Sequence, residues 1–80
     1  MNRYTIQYFG LLAERRGLAE ETVTTAAATP AAIYQEIDSL YPLGMAMRDL
    51  RAVVNDAFAS WDQPLHTGDR VAFLPPMSGG

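Results

Sequence analysis

The chain has no cysteine and no lysine, and a single histidine and a single tryptophan among 80 residues. Without cysteine there can be no disulfide, no thiol nucleophile and no thiolate metal site, a composition that fits a reducing cytoplasm, the expected location. Without lysine all six basic residues are arginine, so no side-chain amine is present to receive an isopeptide bond. Compositional bias of the source genome is a far simpler account of the missing lysine than function is. Long apolar runs are missing too. None approaches the roughly 20 residues that span a bilayer, and Met1 to Thr5 open a strand pattern rather than an apolar signal segment. The formal net charge of −3 gives a mildly acidic surface, the wrong sign for neutralising phosphates. Neither membrane nor nucleic acid is therefore expected as a partner.

Catalytic chemistry is equally scarce. The lone His66 falls in a loop-like stretch, where a solvated residue is the simpler reading than a general base. Asp49, Asp56, Asp62 and Asp69 sit in turn-like contexts, where carboxylates bond nearby backbone, and they show no metal-ligand spacing. A domain of this length buries only about 60% of its unfolded surface, so a sizeable internal cleft is hard to build. No metal and no bound cofactor are expected, and the chain is not expected to be an enzyme on its own.

What is present is a clear alternation of structural signals. Residues 3–9 alternate, with Tyr4, Ile6 and Tyr8 on one face and Arg3, Thr5, Gln7 and Phe9 on the other, which reads as a half-buried strand. Leu11 to Arg16 form a short helical run that Gly17 suits as a left-handed closure. Glu21 to Thr25 read as a second strand, hairpin-paired with the first. Thr29 is a good N-cap and Pro30 a good first helical residue. Ile33, Ile37 and Leu40, joined by Tyr34 and Tyr41, form an apolar stripe at helical spacing, with Pro42 and Gly44 ending the helix. Met45 to Leu50 are ambiguous between loop and helical turn. Arg51–Asn55 and Ala57–Trp61 are strand candidates around a turn at Asn55-Asp56. Arg70–Leu74 are the last strand.

This order of elements, with one main helix crossing a mixed sheet of four or five strands, is the α+β arrangement called the β-grasp or ubiquitin-like fold. In it the first and last strands lie parallel at the centre, which a helical crossover allows. Residues 1–74 are expected to form the domain and residues 75–80 an extended, flexible tail.

Two features point outward from that domain. Side chains alternate across a strand, so if Tyr4, Ile6, Tyr8, Val71 and Phe73 face the helix, Phe9 and Leu74 face solvent with Arg70 and Ala72. Phe58 joins them if the Trp61 side packs inward. A contiguous apolar patch of this kind usually marks a partner site, and aromatic residues become its hot spots. The second feature is Pro75-Pro76-Met77-Ser78-Gly79-Gly80. Pro75 and Pro76 cannot extend a sheet ladder and hold the chain extended. Gly79 and Gly80 permit passage through a channel too narrow for side chains. Six extended residues reach about 20 Å, enough to enter a deep site in another protein. A bare carboxylate is a poor electrophile until it is activated as an acyl-adenylate or thioester. Chemistry at Gly80 is therefore expected to be performed on this chain by partners.

The segment from Trp61 to Gly80 resembles the C-terminal quarter of molybdopterin synthase small subunits, in the MoaD/ThiS family of ubiquitin-like sulfur carriers. Gly68-Asp69 before the last strand, followed by Pro75-Pro76 and Gly79-Gly80, carries the likeness. Phe9-Gly10, Glu14-Arg15-Arg16-Gly17 and Val54-Asn55 extend it. The resemblance implies that an E1-like adenylyltransferase uses Mg-ATP to convert the Gly80 carboxylate to an acyl-adenylate, and that a persulfide protein supplies sulfur to make a thiocarboxylate. The large synthase subunit would receive the tail, with Pro75, Pro76, Met77, Ser78 and Gly79 leading to Gly80, and pass the sulfur to cyclic pyranopterin monophosphate. The assembly implied is a heterotetramer, and Phe9, Phe58 and Leu74 match apolar positions that the family uses against its partners. Met77 replaces a more usual small aliphatic residue, Ala13 stands where relatives can carry a basic one, and Arg70 replaces a common acidic one beside Asp69. Carriers for thiamin or cysteine synthesis share the Gly-Gly ending, and an interaction module that is never activated would share the fold. Those alternatives stay open at this level; Pro75-Pro76 favours the molybdopterin branch over the thiamin carriers.

Overall fold

Alternating apolar residues make the first strand. In the computed structural model, which describes residues 1–76, β1 spans Asn2–Tyr8 and buries Tyr4, Ile6 and Tyr8. The chain then turns at Gly10 into the short helix α1 (Leu11–Arg16), which Gly17 closes in the left-handed conformation at φ 85°. β2 (Glu20–Thr25) returns antiparallel to β1, with Tyr4 opposite Val23. Helix α2 (Pro30–Leu40) begins as its sequence predicts: the Thr29 hydroxyl accepts a hydrogen bond from the Ala32 amide at 3.2 Å, with Pro30 at the first position. A cap of this kind is worth about 1 kcal/mol. After a 3-10 turn at Met47–Asp49 come β3 (Arg51–Val54), β4 (Ala57–Ala59) and β5 (Arg70–Leu74).

The sheet order is β2-β1-β5-β3-β4. β1 and β5 run parallel at its centre, with Ile6 beside Val71 and Tyr8 beside Phe73. Asn55 and Asp56, at φ 50° and 70°, both adopt the left-handed conformation required by the two-residue turn between β3 and β4. The loop before β5 is stitched to β1, since the Thr5 amide donates to the Asp69 carbonyl at 3.1 Å and the Gly68 amide to the Arg3 carbonyl at 2.7 Å. The Arg3 amide also donates to the Thr67 hydroxyl at 2.7 Å.

The core lies between the inner sheet face and α2. Ile6, Leu12, Ile33, Leu43, Val71 and Phe73 are completely buried there, each contributing about 1.5–3 kcal/mol by leaving water. Tyrosine is an unusual choice for so small a core, because a buried hydroxyl without a partner is costly. Each of the three buried tyrosines is satisfied: Tyr4 donates to the Ala27 carbonyl, Tyr34 to the Met45 carbonyl and Tyr8 to a Glu21 carboxylate oxygen.

The structure corrects several expectations. Leu40 and Tyr41 do not belong to the buried stripe; Leu40 is 67% exposed and Tyr41 is also exposed. The helix ends at Leu40 and the chain leaves helical geometry at Tyr41, so Leu43 takes the inner position instead. Its amide is held by the Asp38 carboxylate at 2.8 Å, and its carbonyl by Arg15 at 2.7 Å. Tyr41 is covered on one side by the Arg16 guanidinium, 3.7 Å above its ring. β1 stops before Phe9, β3 before Asn55, and β4 well before Trp61. Ala72 faces outward by parity yet is buried, because Gln7 and Val53 flank its small side chain in the neighbouring strands.

Candidate functional site

The site is built by parity at the end of β5. Phe73 points inward, stacked on Trp61 with centroids 5.8 Å apart and planes 7° apart, and meets Tyr34 edge-on at 5.1 Å. With Phe73 anchored inward, Leu74 must turn to the outer face, where it is half-buried. Register brings its neighbours. Arg51 of β3 lies opposite Leu74, and Val53 lies between Ala72 of β5 and Phe58 of β4. The outer face of β5, β3 and β4 thus gathers Ala72, Leu74, Val53 and Phe58, with Arg51 and Arg70 beside them, whereas the half made by β1 and β2 carries Arg3, Thr5, Gln7, Glu20, Thr22 and Thr24.

Phe9 reaches the patch from the end of β1. Gly10 stands at φ 56° and ψ −130°, a conformation that side-chain-bearing residues rarely adopt. A Cβ placed there would lie 3.4 Å from Pro75 Cγ, ordinary van der Waals contact, so the start of the tail lies against the β1–α1 turn and it is the backbone conformation that calls for glycine. The result is an open depression of about 650 Å³ formed by Phe9, Arg51, Phe58 and Leu74 with Pro75 and Pro76. Phe58 is 70% exposed and Phe9 46%, a large amount of aromatic surface to leave in water. A smaller depression of about 350 Å³ shares Gly10, Pro75 and Pro76 and is completed by Leu11 and Met45.

The structure therefore brings Phe9, Phe58, Leu74, Pro75 and Pro76 together. Met77, Ser78, Gly79 and Gly80 lie outside the described residues. Sequence reasoning missed Arg51, Leu11 and Met45. Arg51 was the legible one, since it shares strand parity with Val53. Nothing in the local sequence places Met45 beside the tail.

Charged groups elsewhere are engaged structurally. Glu21 accepts from Arg16 at 2.8 and 2.9 Å and from the Tyr8 hydroxyl. Burial pushes its carboxyl up, but those bonds outweigh it and hold the group below the usual glutamate range. Burial raises the Tyr8 phenol, and the Glu21 charge raises it further. Asp69 accepts from the His66 amide at 2.8 Å and from the Asn55 side chain at 3.0 Å, and these bonds hold its pKa below the ordinary 3.8. Arg70, at the start of β5, pairs with Asp56 of the β3–β4 turn at 2.6 Å. His66 is exposed. Among the described residues no three of His, Asp and Glu are grouped to hold a metal ion, and no helix is long and apolar enough to cross a membrane.

A five-stranded sheet with parallel first and last strands, crossed by one main helix and bearing an apolar patch where the last strand ends, defines a ubiquitin-like β-grasp protein. The chain belongs to the ThiS family, whose sequence model matches residues 6–80. The molybdopterin synthase sulfur carrier subunit of Escherichia coli (strain K12) is 50% identical over 38 residues, a match covering 45% of this chain and 47% of that protein's length. SAMP1 from Haloferax volcanii superposes with a TM-score of 0.81 at 22% identity, over 99% of this chain and 100% of that one. Subunit 1 or 2 in the complex of the two subunits of molybdopterin-converting factor from Helicobacter pylori superposes at 0.69 with 20% identity, over 98% of this chain and 99% of that one. These two structural likenesses concern the fold alone.

Proposed function

We propose that this chain is the sulfur carrier of a molybdopterin synthase, a small subunit whose Gly80 carboxylate is the reacting group. The observation that carries this reading is the apolar surface gathered around Pro75 and Pro76, at the root of the segment that would be presented to a catalytic partner. Membership of the ThiS family and the half-identical segment in the Escherichia coli carrier support it.

In this reading the chain supplies position and the partners supply catalysis. An E1-like adenylyltransferase, consuming ATP and Mg, would join the Gly80 carboxylate to AMP with loss of pyrophosphate. The acyl carbon then becomes electrophilic, because AMP is a good leaving group. The terminal sulfur of a persulfide protein would displace AMP to form an acyl disulfide, and a thiol would then cleave its S–S bond, leaving the thiocarboxylate and a disulfide on the donor side. The large synthase subunit would bind the same chain, accept the tail into its active site and transfer the sulfur to cyclic pyranopterin monophosphate. The folded domain binds no cofactor in this scheme. Its parts are a docking face at Phe9, Phe58 and Leu74, and a stiff exit at Pro75 and Pro76, followed in sequence by Met77, Ser78, Gly79 and the reacting Gly80.

Intact mass spectrometry tests the proposal. Protein isolated from cells containing the activating enzyme is expected to end at Gly80 and to have exchanged one terminal oxygen for sulfur. Reconstitution with the large subunit and cyclic pyranopterin monophosphate is expected to consume that thiocarboxylate. Loading without consumption would redirect the carrier to thiamin or cysteine synthesis, and no loading at all would leave an interaction module.

A further inference from the structure

The depression at the tail root is apolar except for one group, the Arg51 guanidinium. The β3–β5 ladder sets the Arg51 backbone opposite Leu74, and the guanidinium lies 5.8 Å from the centre of the Phe58 ring, within cation–π range. Of the chain's six arginines, Arg16 and Arg70 form ion pairs and Arg15 donates to the Leu43 carbonyl. Arg51 has no ion pair and no side-chain hydrogen bond among the described residues, where the ion pairs are Arg16–Glu21 and Arg70–Asp56. No acidic residue lines the depression, although the chain as a whole carries a charge of −3. The groove is thus a local positive site on an acidic protein.

We propose that this groove receives a protein surface in which a carboxylate stands beside an exposed apolar side chain, the apolar group seating between Phe9, Phe58 and Leu74 and the carboxylate pairing with Arg51. A guanidinium lying near an aromatic ring keeps its in-plane N–H donors free for a two-pronged bond to a carboxylate, which an ammonium cannot reproduce. Desolvation by the surrounding aromatic surface strengthens such a pair over one at an open rim. Arg51 is therefore a specificity residue: it selects partners with an acid at that position and repels those with a base. This inference rests on the carrier reading, which supplies the two proteins to be used as probes.

The test is calorimetric titration of wild type, Arg51→Lys, Arg51→Gln and Arg51→Glu against the purified adenylyltransferase and, separately, the large synthase subunit, at low and high salt. Thermal melts should be unchanged, since the side chain is exposed. For at least one of the two proteins, Arg51→Glu is expected to weaken binding more than about tenfold at low salt, with Arg51→Gln intermediate. Lysine should recover part of the loss, and the difference should shrink at high salt. Equal affinity of all four proteins for both probes overturns the inference while leaving the carrier reading intact. So does a change in self-association without a change in either affinity, which would mean that a second copy or the chain's own tail occupies the groove. Failure of wild type to bind either probe overturns the carrier reading and this inference together.

Discussion

Phe73 and Trp61 lie face to face, their ring centroids 5.8 Å apart and their planes within 7°. Trp61 comes from the loop after β4 and Phe73 from the middle of the sheet, so this contact ties the last strand to the segment that precedes it. It also sets direction. A Phe73 that is locked inward leaves Leu74 no choice but the outer face, and with it the site at which the tail departs.

Replacing Trp61 with alanine should therefore destabilise the domain by about 2–4 kcal/mol, through lost burial and lost aromatic contact with Phe73 and Tyr34. Urea denaturation followed by circular dichroism measures this. A cost below about 0.5 kcal/mol would mean that the aromatic cluster is not what anchors β5.

Phe58→Asp separates docking from stability. The ring is 70% exposed, so its replacement should cost no more than about 1 kcal/mol of folding free energy. Affinity for the proposed protein partners should fall at least about tenfold, because a desolvated aromatic anchor is replaced by a charge. Leu74→Asp, at a half-buried position, should lose binding similarly but cost more stability. Large unfolding in the Phe58 variant would assign that ring to the core instead.

Gly10→Ala should destabilise by about 1–3 kcal/mol, since φ 56° with ψ −130° is poorly accessible to alanine. Hydrogen exchange should show faster opening at the start of α1 and the end of β5. Unaltered melting would show that the β1–α1 turn relaxes freely to another conformation.

Asp69 sets an acid limit. Its carboxyl is bound by the His66 amide and the Asn55 side chain and titrates below its ordinary 3.8. A folded value below the unfolded one means that the stabilisation is complete above the unfolded value and disappears as pH falls through the folded value. Wild type should accordingly lose more stability than Asp69→Asn on going from about pH 5 to about pH 2. Parallel acid curves for the two proteins would contradict this assignment.

Replacing Gly80 with a bulky residue should leave the fold unchanged and block sulfur loading, if the proposed tail chemistry holds. Circular dichroism and intact mass after incubation with the activating enzyme report the two halves of that expectation. Normal loading would show that the activating site needs no narrow channel.

Local rules made much of the domain readable in advance. Period-two alternation located β1 and its buried face, Thr29-Pro30 marked the start of α2, and Asn55-Asp56 supplied the left-handed turn residues. These signals act within a few residues, where sterics and capping dominate. The reading of α2 went wrong at its end. Leu40 continues the helical spacing of Ile33 and Ile37, and only the end of the helix at that residue leaves it in water while Leu43 fills the core.

The candidate site divides along the same line. Parity was enough to turn Leu74 away from the helix once Phe73 faced it, because successive side chains on a pleated backbone must alternate; Phe58 followed only with the Trp61 side packed inward, and Phe9 lies one residue beyond the end of β1. Their gathering around one depression depended on strand order and register, which put Arg51 opposite Leu74 and Val53 between Phe58 and Ala72. The placement of Leu11 and Met45 against Pro75 and Pro76 was likewise decided only in three dimensions, since no local pattern encodes contacts between segments separated by dozens of residues. Which way each side chain faces is a property of the chain itself; which side chains become neighbours is settled by the packing of the whole sheet.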